Sequence, residues 1–350
     1  AEGCVPLTFA TASQALDWCE TEHANLMASV RMAAETGHVA AWEIPATMSS
    51  YFVSCKPWHD WISSLQLGLA AARDIGNRNG EAWMLGLLGY AYRVRSPEEA
   101  VRCCRQALAV FGELGNRLIQ ATVLSHLGLA YHELRRSEKA LGCCQQALAI
   151  GRELGDPLSQ ANCLAAMSVT LRGLRQSEAA ISCCQQALAI FSELGDRWGQ
   201  GVTLNASARA SIDLCRFEEA VAACHQALSV HREISDRTGE VNALNTLSTA
   251  CQGMGRSREA VGYSRQALSI VQETGDRHHE GTTLIKLGAT LSADGQTDTA
   301  RRCWHDALAI LEGLASPRAA EARTLLEKLN AAGADQHVAE TPGRSHAEYH

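Results

Sequence analysis

One tripeptide recurs at a fixed interval, and this constrains the chain more than any other feature. Gln106-Ala107-Leu108, Gln146-Ala147-Leu148, Gln186-Ala187-Leu188, Gln226-Ala227-Leu228 and Gln266-Ala267-Leu268 stand 40 residues apart, and Asp306-Ala307-Leu308 continues the series. Seven residues after each Leu of the five comes a helix stop: Gly115-Asn116, Gly155-Asp156, Gly195-Asp196, Ser235-Asp236 and Gly275-Asp276, with Gly76-Asn77 earlier. Gly supplies a left-handed C-cap, and Asn or Asp caps the helix that follows. Two helical segments fit between successive stops, such as Leu118 to Arg135 and Ser137 to Leu154, joined by the polar turn Arg135-Arg136-Ser137. In the second segment Ala140, Cys144, Ala147 and Ile150 form an apolar stripe at spacings of four, three and three. A single hairpin cannot bury that stripe; a stack of at least three can. At 350 residues the chain is too long for one round core, and an elongated array accommodates it.

Composition agrees with closely packed helices, since 46% of residues are hydrophobic while only 5% are aromatic. The formal charge of −7 argues against general nucleic-acid affinity, which needs a basic stripe. No run of 18 apolar residues appears, so no membrane span and a cytoplasmic home are expected. The chain opens on Ala rather than Met, and further sequence upstream is expected. Fourteen cysteines could suggest a disulfide scaffold. The pairs Cys103-Cys104, Cys143-Cys144 and Cys183-Cys184, however, fall at one register of successive helices. Neighbouring side chains there diverge by about 100°, and equivalent helices stand roughly 8–10 Å apart, beyond disulfide reach. Reduced core thiols are expected, with Cys144 and Cys184 buried.

Leu124, Leu127, Gly128, Tyr131, Ala140 and Ala147 resemble the tetratricopeptide pattern, and Leu85, Leu88, Gly89, Tyr92, Ala100 and Ala107 repeat it with a turn one residue shorter. Later copies are weaker. The 40-residue period, against the usual 34, looks like the long-helix variant of kinesin light chains and bacterial multidomain regulators. Cys104, Cys144, Cys184 and Cys224 replace the usual bulky residue of the second helix. The implied fold is all-α: a right-handed superhelix of six repeats over 80–315, led by a helical segment 1–79, closed by a capping helix 316–332 and followed by a disordered tail 333–350. Residues 12–36, 40–54 and 57–75 read as three leading helices, with Trp18, Trp42, Trp58 and Trp61 as core, and Trp198 and Trp304 as further packing residues. This entry segment resembles that of actinobacterial signal-transducing ATPases and antibiotic-regulatory transcription factors. Their P-loop is absent, because the chain has no Gly-Lys dipeptide.

In such an architecture the first helices line the concave side. The inward positions are then Gly86, Tyr90 and Arg93; Ser125, Leu129 and His132; Ala165, Val169 and Arg172; Asn205, Arg209 and Ile212; Asn245, Thr249 and Gln252. Tyr90, Arg93, His132, Arg172, Asn205, Arg209 and Asn245 are the candidate partner-binding residues. Asn can donate and accept along an extended peptide, and Arg can take a carboxylate with two hydrogen bonds. Arg93, Arg172 and Arg209 on one face of an acidic chain suggest an acidic peptide or protein partner, or an upstream module of the same polypeptide. His278-His279-Glu280 and Cys224, His225 and His231 lack metal-ligand spacing, and no catalytic constellation or cofactor motif stands out. The expected role is a non-catalytic interaction domain, the sensor or scaffold of a bacterial transcriptional regulator. Small-effector sensing and a free-standing adaptor are the alternatives.

Overall fold

The computed structural model describes residues 7–9, 12–55, 58–314, 316 and 318–339. The leading segment holds α1 (Ala12–Thr21), α2 (His23–Glu35), α3 (Ala40–Thr47), α4 (Ser49–Cys55) and α5 (Trp58–Asp74). Six hairpins follow: α6 (Arg78–Tyr92) with α7 (Pro97–Glu113), α8 (Arg117–Glu133) with α9 (Ser137–Glu153), α10 (Pro157–Gly173) with α11 (Ser177–Glu193), α12 (Arg197–Asp213) with α13 (Phe217–Glu233), α14 (Arg237–Gly253) with α15 (Ser257–Glu273), and α16 (Arg277–Ala293) with α17 (Thr297–Gly313). The last helix, α18, spans Ala319–Ala339 and continues past Gly333, where the sequence suggests a stop. No strand occurs among the described residues.

The punctuation of the array is the one the repeat dictates. Gly76, Gly115, Gly155, Gly195, Ser235 and Gly275 all have positive φ. The side chains of Asn77, Asn116, Asp156, Asp196, Asp236 and Asp276 each accept the backbone N–H three residues on, capping α6, α8, α10, α12, α14 and α16. Ion pairs tie the two helices of a hairpin together. Arg78, Arg117, Arg197 and Arg237, each opening a first helix, reach Glu113, Glu153, Glu233 and Glu273 at the end of the following second helix. α10 opens on Pro157 instead, so that link is missing there.

The first helix of each hairpin packs on the first helix of the next, whereas second helices touch mainly the first helices beside them. Unequal spacing of the two layers bends the stack, with the first helices inside. The bend is large enough to bring α4 against α14, so the chain curls around a lumen. Phe52 stacks on Trp61 with ring centroids 5.7 Å apart, and Trp61 meets Tyr90 at 6.0 Å, which joins the leading segment to the first hairpin's core.

Within hairpins, a small residue on the first helix faces a packing residue on the second. Gly128 abuts Cys144, and a Cβ there would lie 2.7 Å from its Sγ. Cys104, Cys144, Cys184 and Cys224 are fully buried, as expected for the two thiols singled out from the sequence. The register then changes to Ser264, whose hydroxyl shares a 2.7 Å hydrogen bond with Ser248, and to Trp304, whose Nε1 donates to the Ile285 carbonyl at 3.1 Å.

Three sequence expectations need correction. The stretch 12–36 is two helices, and so is 40–54. The hydroxyls of Thr21 and Thr47 bond backward to the carbonyls of Asp17 and Glu43 just where each run breaks, and such back-bonding competes with the helix ladder. Trp198 is not a packing residue: it is 39% exposed in the first turn of α12, as are Leu118 and Leu158 at the equivalent places in α8 and α10. Trp61 and Trp304 are buried and Trp42 is half-buried against the core. The Trp58 side chain and residues 340–350 lie outside what the structure describes.

Candidate functional site

The inner faces of α6, α8, α10, α12 and α16, with the start of α18, carry a chain of charged groups along the lumen. Arg93, at the end of α6, pairs with Glu133 across the first hairpin boundary, Nη1 to Oε1 at 3.0 Å. Arg172 in α10 reaches Asp213 Oδ2 in α12 at 3.4 Å. Arg318 pairs with Glu321 at 3.0 Å. Each of these three cations therefore has a carboxylate of its own.

Arg209 and Lys286 do not. No carboxylate lies within ion-pairing distance of either among the described residues. Arg209 is exposed on α12. Desolvation by the surrounding protein, then Arg172 and Arg318, pull its pKa down to about 10 against the attraction of Asp213 and Glu133, leaving it charged at neutral pH. Lys286 is half-buried on α16. Burial brings its ammonium down to about 8, with Arg209 and Arg318 adding repulsion. These two groups come from the fourth and sixth hairpins, and each lies within electrostatic reach of the other or of Arg318.

Other polar groups nearby are incompletely satisfied. Asn205 Oδ1 has no hydrogen-bond partner among the described residues. Asn245 lies beneath the lumen surface at 4% exposure: its Nδ2 donates to Thr283 Oγ1 at 3.3 Å, and its Oδ1 is left over. His132 sits against Gly173, and burial lowers its pKa. Tyr90 packs on His126 with ring centroids 4.9 Å apart, and the Arg93 guanidinium lies 5.7 Å over its ring. Burial takes the His126 imidazole down to about 4, so it is neutral.

The structure thus brings His132, Arg172 and Arg209 within electrostatic reach of one another. It commits Arg93 and Arg172 to intramolecular partners and places Asn245 in helix packing. Lys286 was missed by the inward register, which passes through Ile285. Its signal was still available: one lysine inside the apolar run Thr283-Leu284-Ile285-Lys286-Leu287 has no reason to be there on packing grounds. Two surface hollows, of about 200 and 560 Å3, lie elsewhere. Arg73 of α5 and Arg102 and Cys103 of α7 line the first, and Arg232 of α13 and Gln266 of α15 line the second.

With six capped hairpins curling around a lined lumen, the comparison with known families is direct: the tetratricopeptide-repeat profile matches residues 119–193 and 199–273. Residues 119–193 and 199–273 carry tetratricopeptide repeats. No curated protein sequence matches it. Solved tetratricopeptide structures do resemble it. A Rap protein complexed with Competence and Sporulation Factor superposes with a TM-score of 0.55 at 14% identity, covering 93% of this chain and 99% of that one. Aspartyl phosphate phosphatase F from Bacillus subtilis gives 0.56 at 14%, covering 99% and 100%. The Signal Transduction ATPase with Numerous Domains and a tetratricopeptide repeat sensor from Pyrococcus horikoshii gives 0.54 at 15%, covering 87% of this chain and 49% of that one. At these identities the likeness is one of fold. Among the described residues, no helix is long and apolar enough to cross a membrane.

Proposed function

We propose that this tetratricopeptide array is the interaction part of a bacterial regulator, sensor or scaffold, and that it holds an acidic peptide or protein segment in its lumen without transforming it. One observation supports the reading: among the described residues neither Arg209 nor Lys286 has a carboxylate within ion-pairing distance, while Arg93, Arg172 and Arg318 each have one. A folded chain that leaves two cations unanswered in a walled space keeps them for charge supplied from outside. The unfilled Asn205 Oδ1 is suited to a backbone N–H of an extended segment. The non-catalytic part of the reading rests on the nucleophile candidates. Burial raises the thiols of Cys144 and Cys224 to about 12 and that of Cys184 to about 11, which keeps them protonated and inert. The regulator assignment is supported by the resemblance of the entry segment and by the Pyrococcus horikoshii neighbour, whose repeats are described as a sensor.

The test uses a labelled glutamate-rich peptide and its glutamine counterpart, titrated into the full chain by fluorescence anisotropy. The glutamate peptide should bind at least about tenfold more tightly, the size of one lost charge-assisted bond, and weaken as salt rises. Equal binding of the two peptides would remove the acidic-partner reading.

A further inference from the structure

We propose that the edge of the array formed by the turns joining hairpins one to four pairs with the same edge of a second copy of this chain, as a two-fold dimer. The inference goes beyond the function proposed for the lumen and does not rest on it, because the residues it uses lie at the turns between hairpins.

These turns carry an exposed apolar row. Leu114, Leu154 and Leu194 cap the ends of α7, α9 and α11, Leu118, Leu158 and Trp198 stand in the first turns of α8, α10 and α12, and all six are between 39% and 46% exposed. Arg117, beside Leu118, reaches Glu153, beside Leu154, at 2.6 Å, so one turn stands within a side chain's reach of the next. Successive first helices also pack on one another along this stretch, which sets the turns about 8–10 Å apart. The row is not a general property of the repeat. Beyond Trp198 its places pass to half-buried Ile234, then to Thr238, Thr274 and buried His278. Single exposed leucines need no explanation, but a contiguous apolar strip on a folded surface marks an interface.

The charges on the same turns select the occupant. In the register of Glu193, the residues Glu113, Glu153, Glu233 and Glu273 pair with Arg78, Arg117, Arg197 and Arg237. For Glu193 the place of the arginine is taken by Pro157. In the register of Arg152, Arg73 and Arg232 pair with Glu81 and Glu240, eight residues on, at 2.9 and 3.4 Å. For Arg152 the place of the glutamate is taken by Gln160, whose amide donates to the Gly151 carbonyl at 3.2 Å. The opening of α10 therefore leaves an exposed cation and an exposed anion with no ion pair among the described residues, at consecutive turns and inside the apolar row. The other charged side chains of these two turns are engaged: Glu153 holds Arg117, Arg197 holds Glu233, and Asp156 and Asp196 cap α10 and α12. A partner of one sign would answer Arg152 or Glu193 and repel the other. A second copy laid the opposite way answers both, because a two-fold axis between the turns sets Arg152 of each copy against Glu193 of the other, and Leu154 and Leu158 against Leu194 and Trp198.

Sedimentation equilibrium of the full chain tests this, with circular dichroism to confirm that each variant keeps its helix content. The wild type should dimerise at micromolar concentration. Trp198→Gln should weaken the dimer at least about thirtyfold, the effect of losing a central aromatic anchor, and Leu158→Gln should weaken it as well, since each substitution acts twice across the axis. Arg152→Glu and Glu193→Arg should each weaken it at least about tenfold by setting like charges against one another. An equal mixture of those two variants should associate as a heterodimer near wild-type strength, because both cross-axis contacts are then again of opposite sign, and one chain carrying both changes should recover likewise. Arg258→Glu, at an exposed place on α15, should leave the dimer as it is. A chain that stays monomeric at tens of micromolar would overturn the proposal. So would a dimer indifferent to both Trp198→Gln and Leu158→Gln, or a mixture that associates no better than either charge variant alone. Should the apolar variants lose helix, the mixture decides the matter, since it changes only exposed charges.

Discussion

The seam between the two helices of a hairpin and the lumen that the first helices line are made from opposite sides of the same helices, yet they treat unmet groups in opposite ways. In the seam every change on one side is answered on the other. Gly128 faces Cys144, Ala208 lies in the hairpin of Cys224, Ser248 bonds Ser264, and Gly288 makes room for Trp304. In the lumen Arg209 and Lys286 have no ion-pair partner among the described residues. A close-packed seam tolerates no mismatch, because voids and overlaps both cost free energy. A water-filled lumen tolerates one, and the mismatch that persists there marks where something else is meant to bind.

The largest expected effect tests the seam as a whole. Buried Cys144, Cys184 and Cys224 stay protonated in the fold to about 11–12, whereas an unfolded thiol ionises near about 8.5. Their folded values are raised, so the stability they contribute is fully present below about pH 8.5 and is lost as pH climbs from there toward 11–12. Each thiol adds a slope of up to about 1.4 kcal/mol per pH unit. Urea unfolding should lose more than about 3 kcal/mol between pH 8 and 10, and Cys144→Ala should lose less over the same interval although it starts less stable. An identical pH slope in the variant would mean that Cys144 is not a buried thiol.

The next effect isolates one matched pair. A Cβ on Gly288 would lie 2.4 Å from Nε1 of Trp304, a ring 3% exposed and fixed by its bond to Ile285. Gly288→Ala should cost about 3 kcal/mol. With Trp304→Cys in place, which recreates the Ala208 and Cys224 arrangement two hairpins earlier, the same alanine should cost under about 1 kcal/mol. Additive costs across the four proteins would show that the pair is not matched.

This division explains what could be read in advance. The seam repeats, so its periods, stops and caps are written five or six times, and Gly115, Asp156 and Cys184 do what their register says. The weak copy at Leu244, Leu247 and Ser248 still folds alike, because Ser264 changed with Ser248. The lumen does not repeat. Arg93 and Arg172 look alike and free in the sequence, but Glu133 and Asp213, each about one repeat farther on, take them up. Lys286 comes within electrostatic reach of Arg209 only after two more hairpins have turned the chain, so no spacing along the sequence points from one to the other. Trp198 is exposed in the first turn of its helix, as Leu118 and Leu158 are at the equivalent places.

The smallest effect carries the sharpest sign. Among the described residues, the charged groups acting on Lys286 are Arg209 from α12 and Arg318 and Glu321 at the last helix. Burial and the two guanidinium groups bring its pKa from 10.5 to about 8. In the unfolded chain the proton is kept until near pH 10.4, so between about pH 8 and 10 the unfolded state binds more protons and this residue's contribution to stability rises with pH. Below pH 8 the charged ammonium is a standing cost. Lys286→Met should therefore stabilise the unliganded protein at pH 7 by on the order of 1 kcal/mol, after allowing for water in the lumen, and the gain should shrink toward pH 10. Arg172→Gln should show the opposite sign, because it strips Asp213 of its partner and leaves a carboxylate in the same walled space. Urea unfolding of the three proteins at pH 7 and pH 9.5 compares them directly. If Lys286→Met destabilises at pH 7 as Arg172→Gln does, Lys286 has a partner after all, and the contrast between a matched seam and an unmatched lumen fails at the residue on which it most depends.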